Sequence, residues 1–156
     1  MKRKVYLETT IASYLTALPT RDLVRAAHQQ ITTEWWQGRD RFDLFISEAV
    51  LQEAGAGDPD ASGRGLTALP GIRGLAAPKD VARRAHPLVT GGAVPENAAV
   101  DAVHIAVAAV NGMDFLLTWN CRHIANAATR GRIEQVCRAA GVVPPVICTP
   151  EELLEE

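Results

Sequence analysis

Four polar residues stand where an ordinary globular core would not place them. Glu8 and Glu53 each follow a strand-like apolar run, Asp101 interrupts a nearly all-apolar helical segment, and Asn120 ends a third apolar run. Carboxylates at buried strand ends or on buried helices must be paired, protonated or bound to a cation. Because no basic residue stands directly beside these acids, the pattern favours a divalent metal, and carboxylate-held metals commonly act on phosphates.

Two of these acids also have simpler structural interpretations. Asp101 would be an ordinary helix N-cap if its helix began directly after it, whereas capping by Asn97 would place Asp101 in the second turn. Glu8 is a poor N-cap, and Thr9 and Thr10 are better ones. We therefore favour a functional role for both Asp101 and Glu8.

The second acid, Glu53, has a rival in Glu48, which directly follows Ser47. Glu48 lies in the first turn of a predicted helix, where a negative charge favours the helix dipole, and this is a sufficient structural reason for it. Glu53 has no such reason and is the preferred site residue. Asn120 could cap a following helix, donate a neutral oxygen to a metal, or do both. Thr118 is placed to hydrogen-bond the carboxylates or water at the metal.

The other residues with reactive side chains carry weaker signals. His104 lies three residues after Asp101 on the same helix side, but its spacing supports no histidine-rich metal site, and a satisfied core histidine is the simpler interpretation. Cys121 and His123 are two residues apart and therefore lie on different faces of a helix. The pair Trp35-Trp36 is expected to contribute to the core and to leave one edge exposed, with a partner interface as the alternative role.

Composition limits the class of protein. The chain has 156 residues, 47% hydrophobic and 22% charged, and a net charge of −2, which fits one domain, residues 1–156, with one core. No apolar run reaches the length of a membrane span, and the N-terminus does not resemble a signal peptide. Three cysteines without a CxxC pair indicate reduced thiols, so we expect a cytoplasmic protein. The acidic balance argues against non-specific nucleic-acid binding, although arginines cluster after Asn120.

Strand-like and helix-like segments alternate along the chain. Strands are predicted at residues 4–8, 42–47, 72–76, 115–119 and 146–148. Helices are predicted at residues 9–18, 20–36 (capped by Thr20), 48–53 (capped by Ser47), 61–69, 78–89, 98–111 and 121–140, with a helical turn from residue 150. This alternation predicts parallel pairing and a three-layer α/β/α sandwich, in which sites form at the carboxyl ends of the strands. Glu8, Ser47 and Asn120 would meet at that edge.

Four segments in this order resemble the PIN domain, and in particular the VapC-type ribonuclease toxins of toxin–antitoxin pairs. They are Val5-Tyr6-Leu7-Glu8-Thr9-Thr10, residues 46–53, Asp101-Ala102-Val103-His104-Ile105-Ala106 and Leu116-Leu117-Thr118-Trp119-Asn120. The resemblance implies a parallel sheet flanked by helices, an acidic cluster that binds Mg²⁺ or Mn²⁺, and metal-dependent RNA hydrolysis. It also implies a homodimer and a small cognate antitoxin that lies across the active groove.

The resemblance assigns the four acidic positions of the family to Glu8, Glu53, Asp101 and Asn120, as catalytic and metal-binding residues. The family usually has Asp at the first position and an acid at the fourth, so Glu8 is one methylene longer and Asn120 removes one negative charge. Thr9 and Thr118 are expected to support the cluster.

Arg122 is a candidate contact for the RNA phosphates. Two alternatives remain: a catalytically weak PIN-like module that binds RNA or a partner protein, and a small-molecule phosphatase.

Overall fold

A computed structural model describes residues 1–55 and 72–155. The helix predicted over residues 61–69 and most of the loop predicted before it lie outside the described residues.

The centre of the molecule is a five-stranded sheet in which every neighbouring pair is parallel. Its strands are β1 (Arg3–Leu7), β2 (Phe42–Ser47), β3 (Arg73–Leu75), β4 (Phe115–Leu117) and β5 (Val146–Cys148). Their order across the sheet is β3-β2-β1-β4-β5, so the first strand of the chain is the central one. The predicted parallel sheet is confirmed, with β3 and β4 shorter than expected.

Helices follow the strands along the chain. Within residues 1–55 and 72–155 they are α1 (Thr9–Thr16), α2 (Leu23–Gln37), α3 (Glu48–Gly55), α4 (Val81–Thr90), α5 (Ala99–Val110) and α6 (Ala127–Ala139). Helix α1 packs against α2 and α3, and α4 packs against α5 and α6. The fold is the predicted three-layer α/β/α sandwich. None of the helices in this part of the chain has the length and apolar character needed to cross a bilayer.

The core explains why these segments fold as they do. Strand β4 is buried throughout, and β1 is buried from Val5 onward, as expected for central strands covered on both faces. Helix α5 has its run Ile105–Ala109 buried, so this apolar segment is a core helix, as its composition indicates. Polar side chains on such elements therefore need partners inside the protein, and this requirement shapes the site.

Several predicted helix starts are wrong. Thr20 does not cap α2, which begins three residues later, because Asp22 accepts the Arg25 amide at 2.9 Å and is the cap. Helix α4 begins at Val81, after Pro78, with Asp80 at the cap position. These errors arise because several cap-forming residues stand close together in sequence and only one can occupy the turn.

Two further capping predictions fail near the carboxyl ends of the strands. Ser47 ends β2, and its hydroxyl contacts the Tyr6 hydroxyl at 2.7 Å instead of capping α3. The segment after Asn120 is not a helix but a turn, and α6 starts only after Asn126, whose side chain accepts the Ala128 amide at 2.8 Å. Ser47 and Asn120 thus lie at the edge of the sheet where β1, β2 and β4 end, and neither begins a helix as a cap.

Candidate active site

Glu8 is placed by the strand that precedes it. Its backbone amide donates to the Leu117 carbonyl at 3.1 Å, which extends the β1–β4 pairing by one residue. It occupies the cap position of α1, but its side chain does not cap the helix. The carboxylate, 3% exposed, instead accepts hydroxyl hydrogen bonds on Oε1 from Thr10 and Thr118, each at 2.6 Å. Burial raises the pKa of Glu8, and these two hydrogen bonds partly offset the rise.

The two threonines also hold the loop after β4. The Trp119 amide donates to Thr10 Oγ1 at 2.9 Å, and the Asn120 amide donates to Thr118 Oγ1 at 2.9 Å. Each hydroxyl therefore accepts one backbone N–H and donates to Glu8. Because both hydroxyls are used in both directions, the position of the carboxylate and the path of this loop depend on each other.

Glu53 reaches the same edge from α3. Its Oε1 accepts from Thr9 Oγ1 at 2.6 Å and lies 2.5 Å from His104 Nε2. The side chain remains 37% exposed, so it faces solvent as well as the cluster. The hydrogen bond from His104 lowers the pKa of Glu53, against a smaller opposing effect of burial. Glu53 is therefore ionised at neutral pH.

A buried chain of hydrogen bonds lies behind Glu53. His104 is completely buried, and its Nδ1 lies 2.5 Å from the Tyr6 hydroxyl. The Tyr6 hydroxyl in turn lies 2.7 Å from Ser47 Oγ, and burial raises the pKa of Tyr6. Ser47, Tyr6, His104 and Glu53 thus form one connected series from the end of β2 to the solvent-facing carboxylate.

Asp101 approaches the edge from the first turn of α5. Its side chain is half-buried, and burial raises the pKa of the carboxyl while a hydrogen bond from Asn120 and the nearby His123 lower it. Asn120 Oδ1 accepts the His123 amide at 3.0 Å, so the amide nitrogen of Asn120 is the group that faces Asp101. Asn120 therefore stabilises the carboxylate at a position where an acid would repel it.

The donor set fits a divalent cation. Ligand atoms of Glu8, Glu53 and His104 all lie within 4.8 Å of one another. On both glutamates the side-chain hydrogen bonds described above fall on Oε1. Asp101 lies outside this close group but interacts electrostatically with Glu53. The Oε2 atoms, which carry none of these side-chain hydrogen bonds, can serve a cation with a preference for oxygen ligands, with a third carboxylate nearby.

Solved structures of other proteins share this arrangement of strands and helices. VapC20 of Mycobacterium tuberculosis, described as a toxin that cleaves the sarcin-ricin loop, matches with a TM-score of 0.59 and 16% sequence identity, over 89% of this chain and 96% of that one. The chain has the PIN-domain fold of the VapC toxins. VapBC2 of Rickettsia felis, solved with a DNA fragment from its promoter, matches with a TM-score of 0.56 and 13% identity, over 94% of this chain and 98% of that one. No protein-family model and no curated protein matches the sequence.

The predicted site residues come together on this PIN fold. Glu8, Glu53, Asp101 and Asn120 meet at the edge where the central strands end, with Thr9 and Thr118 bound to the glutamates. These contacts are geometric, and the roles of the residues remain predictions.

The remaining candidates, whether set aside or kept as an RNA contact, lie outside the cluster of carboxylates. Glu48 is exposed and accepts from Gln52 Nε2 at 3.3 Å on the outer side of α3. Arg122 is exposed on the turn after Asn120, and within the described residues no hydrogen bond joins Cys121 to His123. Glu48 is consequently a useful control for Glu53, because the two acids share one helix.

Sequence reasoning missed the roles of three residues at the edge of the PIN fold. Tyr6 resembles an ordinary buried strand residue, Thr10 was considered only as a helix N-cap, and Ser47 was expected at this edge but as a helix cap. A signal for Thr10 is its place two residues after Glu8, within reach of a local side-chain bond. Tyr6 and Ser47 carry no such local signal, because their partners are distant in sequence.

Proposed function

We propose that this protein is a divalent-metal-dependent endoribonuclease, the toxin of a toxin–antitoxin pair. The observation that carries the proposal is the pair of glutamates at the edge of a VapC-like sheet, each with its side-chain hydrogen bonds on Oε1 and close enough to the other to share a cation. The fold alone hosts many activities, so the argument depends on this edge and its carboxylates.

Different residues of this chain would bind the ion and hold its ligands in place. Glu8, Glu53 and Asp101 hold Mg²⁺ or Mn²⁺, and Asn120 keeps Asp101 in place or adds a neutral oxygen. When bound, the ion polarises a phosphoryl oxygen and lowers the pKa of water, so that a phosphodiester can be hydrolysed without a covalent enzyme intermediate.

Hydroxyls and a basic side chain complete the proposed arrangement. Thr9 and Thr118 keep the two glutamates from rotating, which preserves the orientation of their free oxygens. Arg122, exposed next to Asn120, contacts the phosphates of the RNA.

The expected partners follow from the same comparison. VapBC2 was solved as a complex of toxin and antitoxin on promoter DNA, which supports a cognate antitoxin for this chain. We further propose a single domain that acts as a homodimer in the cytoplasm. Trp36, half-buried at the end of α2, is a candidate contributor to the dimer surface.

The deciding experiment is cleavage of a mixed RNA pool by pure protein in Mn²⁺ or Mg²⁺. EDTA and the variants Asp101→Ala and Glu53→Ala should each abolish cleavage, whereas Glu48→Ala, on the same helix as Glu53, should cleave like the wild type. Cleavage that persists in EDTA, or that is lost equally in Glu48→Ala, would refute the assignment.

The alternative functions are separated in the same experiment. Asn120, in place of an acid, and the net charge of −2 favour a PIN-like module that binds RNA or a partner without cutting. Such a module would retain labelled RNA in a binding assay but show no cleavage by the folded wild type. A small-molecule phosphatase would hydrolyse p-nitrophenyl phosphate and leave the RNA intact.

A further inference from the structure

A histidine that is 0% exposed touches the candidate metal site without facing solvent. His104 lies on α5, and each of its two ring nitrogens has one close partner: Glu53 Oε1 at Nε2 and the Tyr6 hydroxyl at Nδ1, both at 2.5 Å. The weaker contact from Thr9 Oγ1 to Nε2 is 3.4 Å. The proposed function gives His104 no role, yet it is a fully buried polar group that contacts a predicted cation ligand.

The partners of the ring decide where its proton lies. An ionised carboxylate only accepts hydrogen bonds, so Nε2 must carry the hydrogen that Glu53 receives. In a neutral ring Nδ1 then accepts from Tyr6, whose hydroxyl accepts from Ser47. In a charged ring Nδ1 donates to Tyr6, whose hydroxyl donates to Ser47 instead. Nε2 carries hydrogen in both cases, and a nitrogen that carries hydrogen has no lone pair for a metal.

We propose that His104 is a positioning residue, which holds Oε1 of Glu53 through its Nε2–H so that Oε2 is presented to the cation. Tyr6 and Ser47 fix the orientation of the His104 ring. The proposal rests on the proposed function and deepens it, because it separates the residues that bind the ion from a residue that orients one of them. Thr9 adds a second donor to the same oxygen. Glu53 needs such support because it stands on a helix with 37% of its side chain exposed.

His104 thus holds one carboxylate oxygen of Glu53, while part of the same side chain is exposed to solvent. Partners of this kind, one step removed from the metal, usually change metal affinity by about 10–100-fold when they are removed. The effect should appear in metal binding itself, before any RNA is added.

The test is a Mn²⁺ titration of the full chain and of four variants. The EPR signal of free Mn²⁺ measures how much of the ion remains unbound. His104→Leu should weaken binding by about 10–100-fold, whereas His104→Gln, whose amide can replace the Nε2 donor, should stay within about threefold of the wild type. His86→Leu is the control, because His86 is an exposed histidine on α4. Tyr6→Phe removes only the hydroxyl behind the ring and should weaken binding by a few-fold. Pulsed EPR on the loaded wild type should show no directly coordinated imidazole nitrogen.

Each outcome bears on the proposal. Equal affinity in the wild type and His104→Leu would overturn it while leaving the metal site intact. A coordinated nitrogen, together with a loss in His104→Gln as large as in His104→Leu, would make His104 a ligand and also overturn it. If His104→Leu does not fold, Tyr6→Phe decides, and unchanged affinity there refutes the role. A wild type that binds no Mn²⁺ would refute the proposed function and this inference together.

Discussion

Thr118 offers the sharpest test of how the edge of the sheet is held together. The change Thr118→Val keeps the volume of the side chain and removes its hydroxyl. Thr118 is completely buried. Its hydroxyl donates to Glu8 Oε1 at 2.6 Å and accepts a hydrogen bond from the Asn120 amide at 2.9 Å. The variant thus removes one hydrogen bond to a buried carboxylate and leaves one backbone amide without its partner.

The magnitude follows from these two losses. A hydrogen bond to a charged group contributes about 1.5–3 kcal/mol, and an amide left without a partner costs about 1–3 kcal/mol when it is buried. Because Asn120 is only partly buried, water can replace part of the second loss. We expect the free energy of unfolding of the metal-free protein to fall by about 2–4 kcal/mol. In a chain of this length, this corresponds to a decrease in melting temperature of roughly 5–15 °C.

The assay is urea unfolding of EDTA-treated protein at pH 7.5 and pH 4.5, with Thr33→Val as the matched control. Thr33 is exposed on α2 and donates only to the Gln29 carbonyl at 2.9 Å, so its change should stay within about 0.5 kcal/mol. The cost of Thr118→Val should be smaller at the lower pH, because a larger fraction of Glu8 is then protonated and accepts a weaker hydrogen bond. In a Glu8→Gln background the cost should fall by about 1 kcal/mol, since the acceptor is then neutral.

Two results would refute the reasoning. A stability of Thr118→Val within 0.5 kcal/mol of the wild type, roughly the effect of a neutral surface change, would mean that the hydroxyl does not hold the carboxylate. An equal cost in the wild-type and Glu8→Gln backgrounds would mean that the cost arises only from the Asn120 amide. The second result would leave the loop argument intact and remove the argument about Glu8.

Three further perturbations test neighbouring contacts. Because burial raises the pKa of Glu8, the metal-free wild type should lose stability relative to Glu8→Gln as the pH rises above the usual carboxylate range. Urea unfolding from pH 4 to 8 measures this difference, and a constant difference would contradict it. Asn120→Asp places a second charge beside Asp101 and should strengthen Mn²⁺ binding by about 1–2 kcal/mol in an EPR titration, so weaker binding would be the wrong sign. Trp119→Phe removes the indole N–H that donates to Thr32 Oγ1 at 2.7 Å and should lower the unfolding free energy by about 1 kcal/mol, and unchanged urea unfolding would show that this bond contributes nothing.

The strands of this protein were predictable because they are buried. An apolar run bounded by polar residues identifies β1, β2 and β4, and the alternation with helices indicates parallel pairing. The order of the strands was not predictable, because β1 pairs with both β2 and β4 while β3 and β5 take the edges. Nothing in a local pattern tells a strand which neighbours it will have.

The site was predictable only as far as its residues stand at strand ends or on apolar helices. Glu8 and Asp101 attract attention because a charge is costly in such places. His104 was interpreted as a satisfied core histidine, and it is satisfied, but by Glu53 and Tyr6. Ser47 was assigned to a cap because its role depends on a contact across 41 positions of the chain. Such contacts exist only after the sheet has formed.

The central place of β1 has a consequence for the order of events during translation. One edge of this strand can pair with β2 early, but the other must wait for β4, and the contact of Glu8 with Thr118 spans 110 positions. At synthesis rates of about 5–20 residues per second, the interval is roughly 5–20 s. During this interval one edge of the apolar strand β1 stays unpaired in the nascent chain, and another chain could pair with it. The same delay means that a ribosome-bound chain carries Glu8 and Glu53 long before it can assemble the edge that holds them.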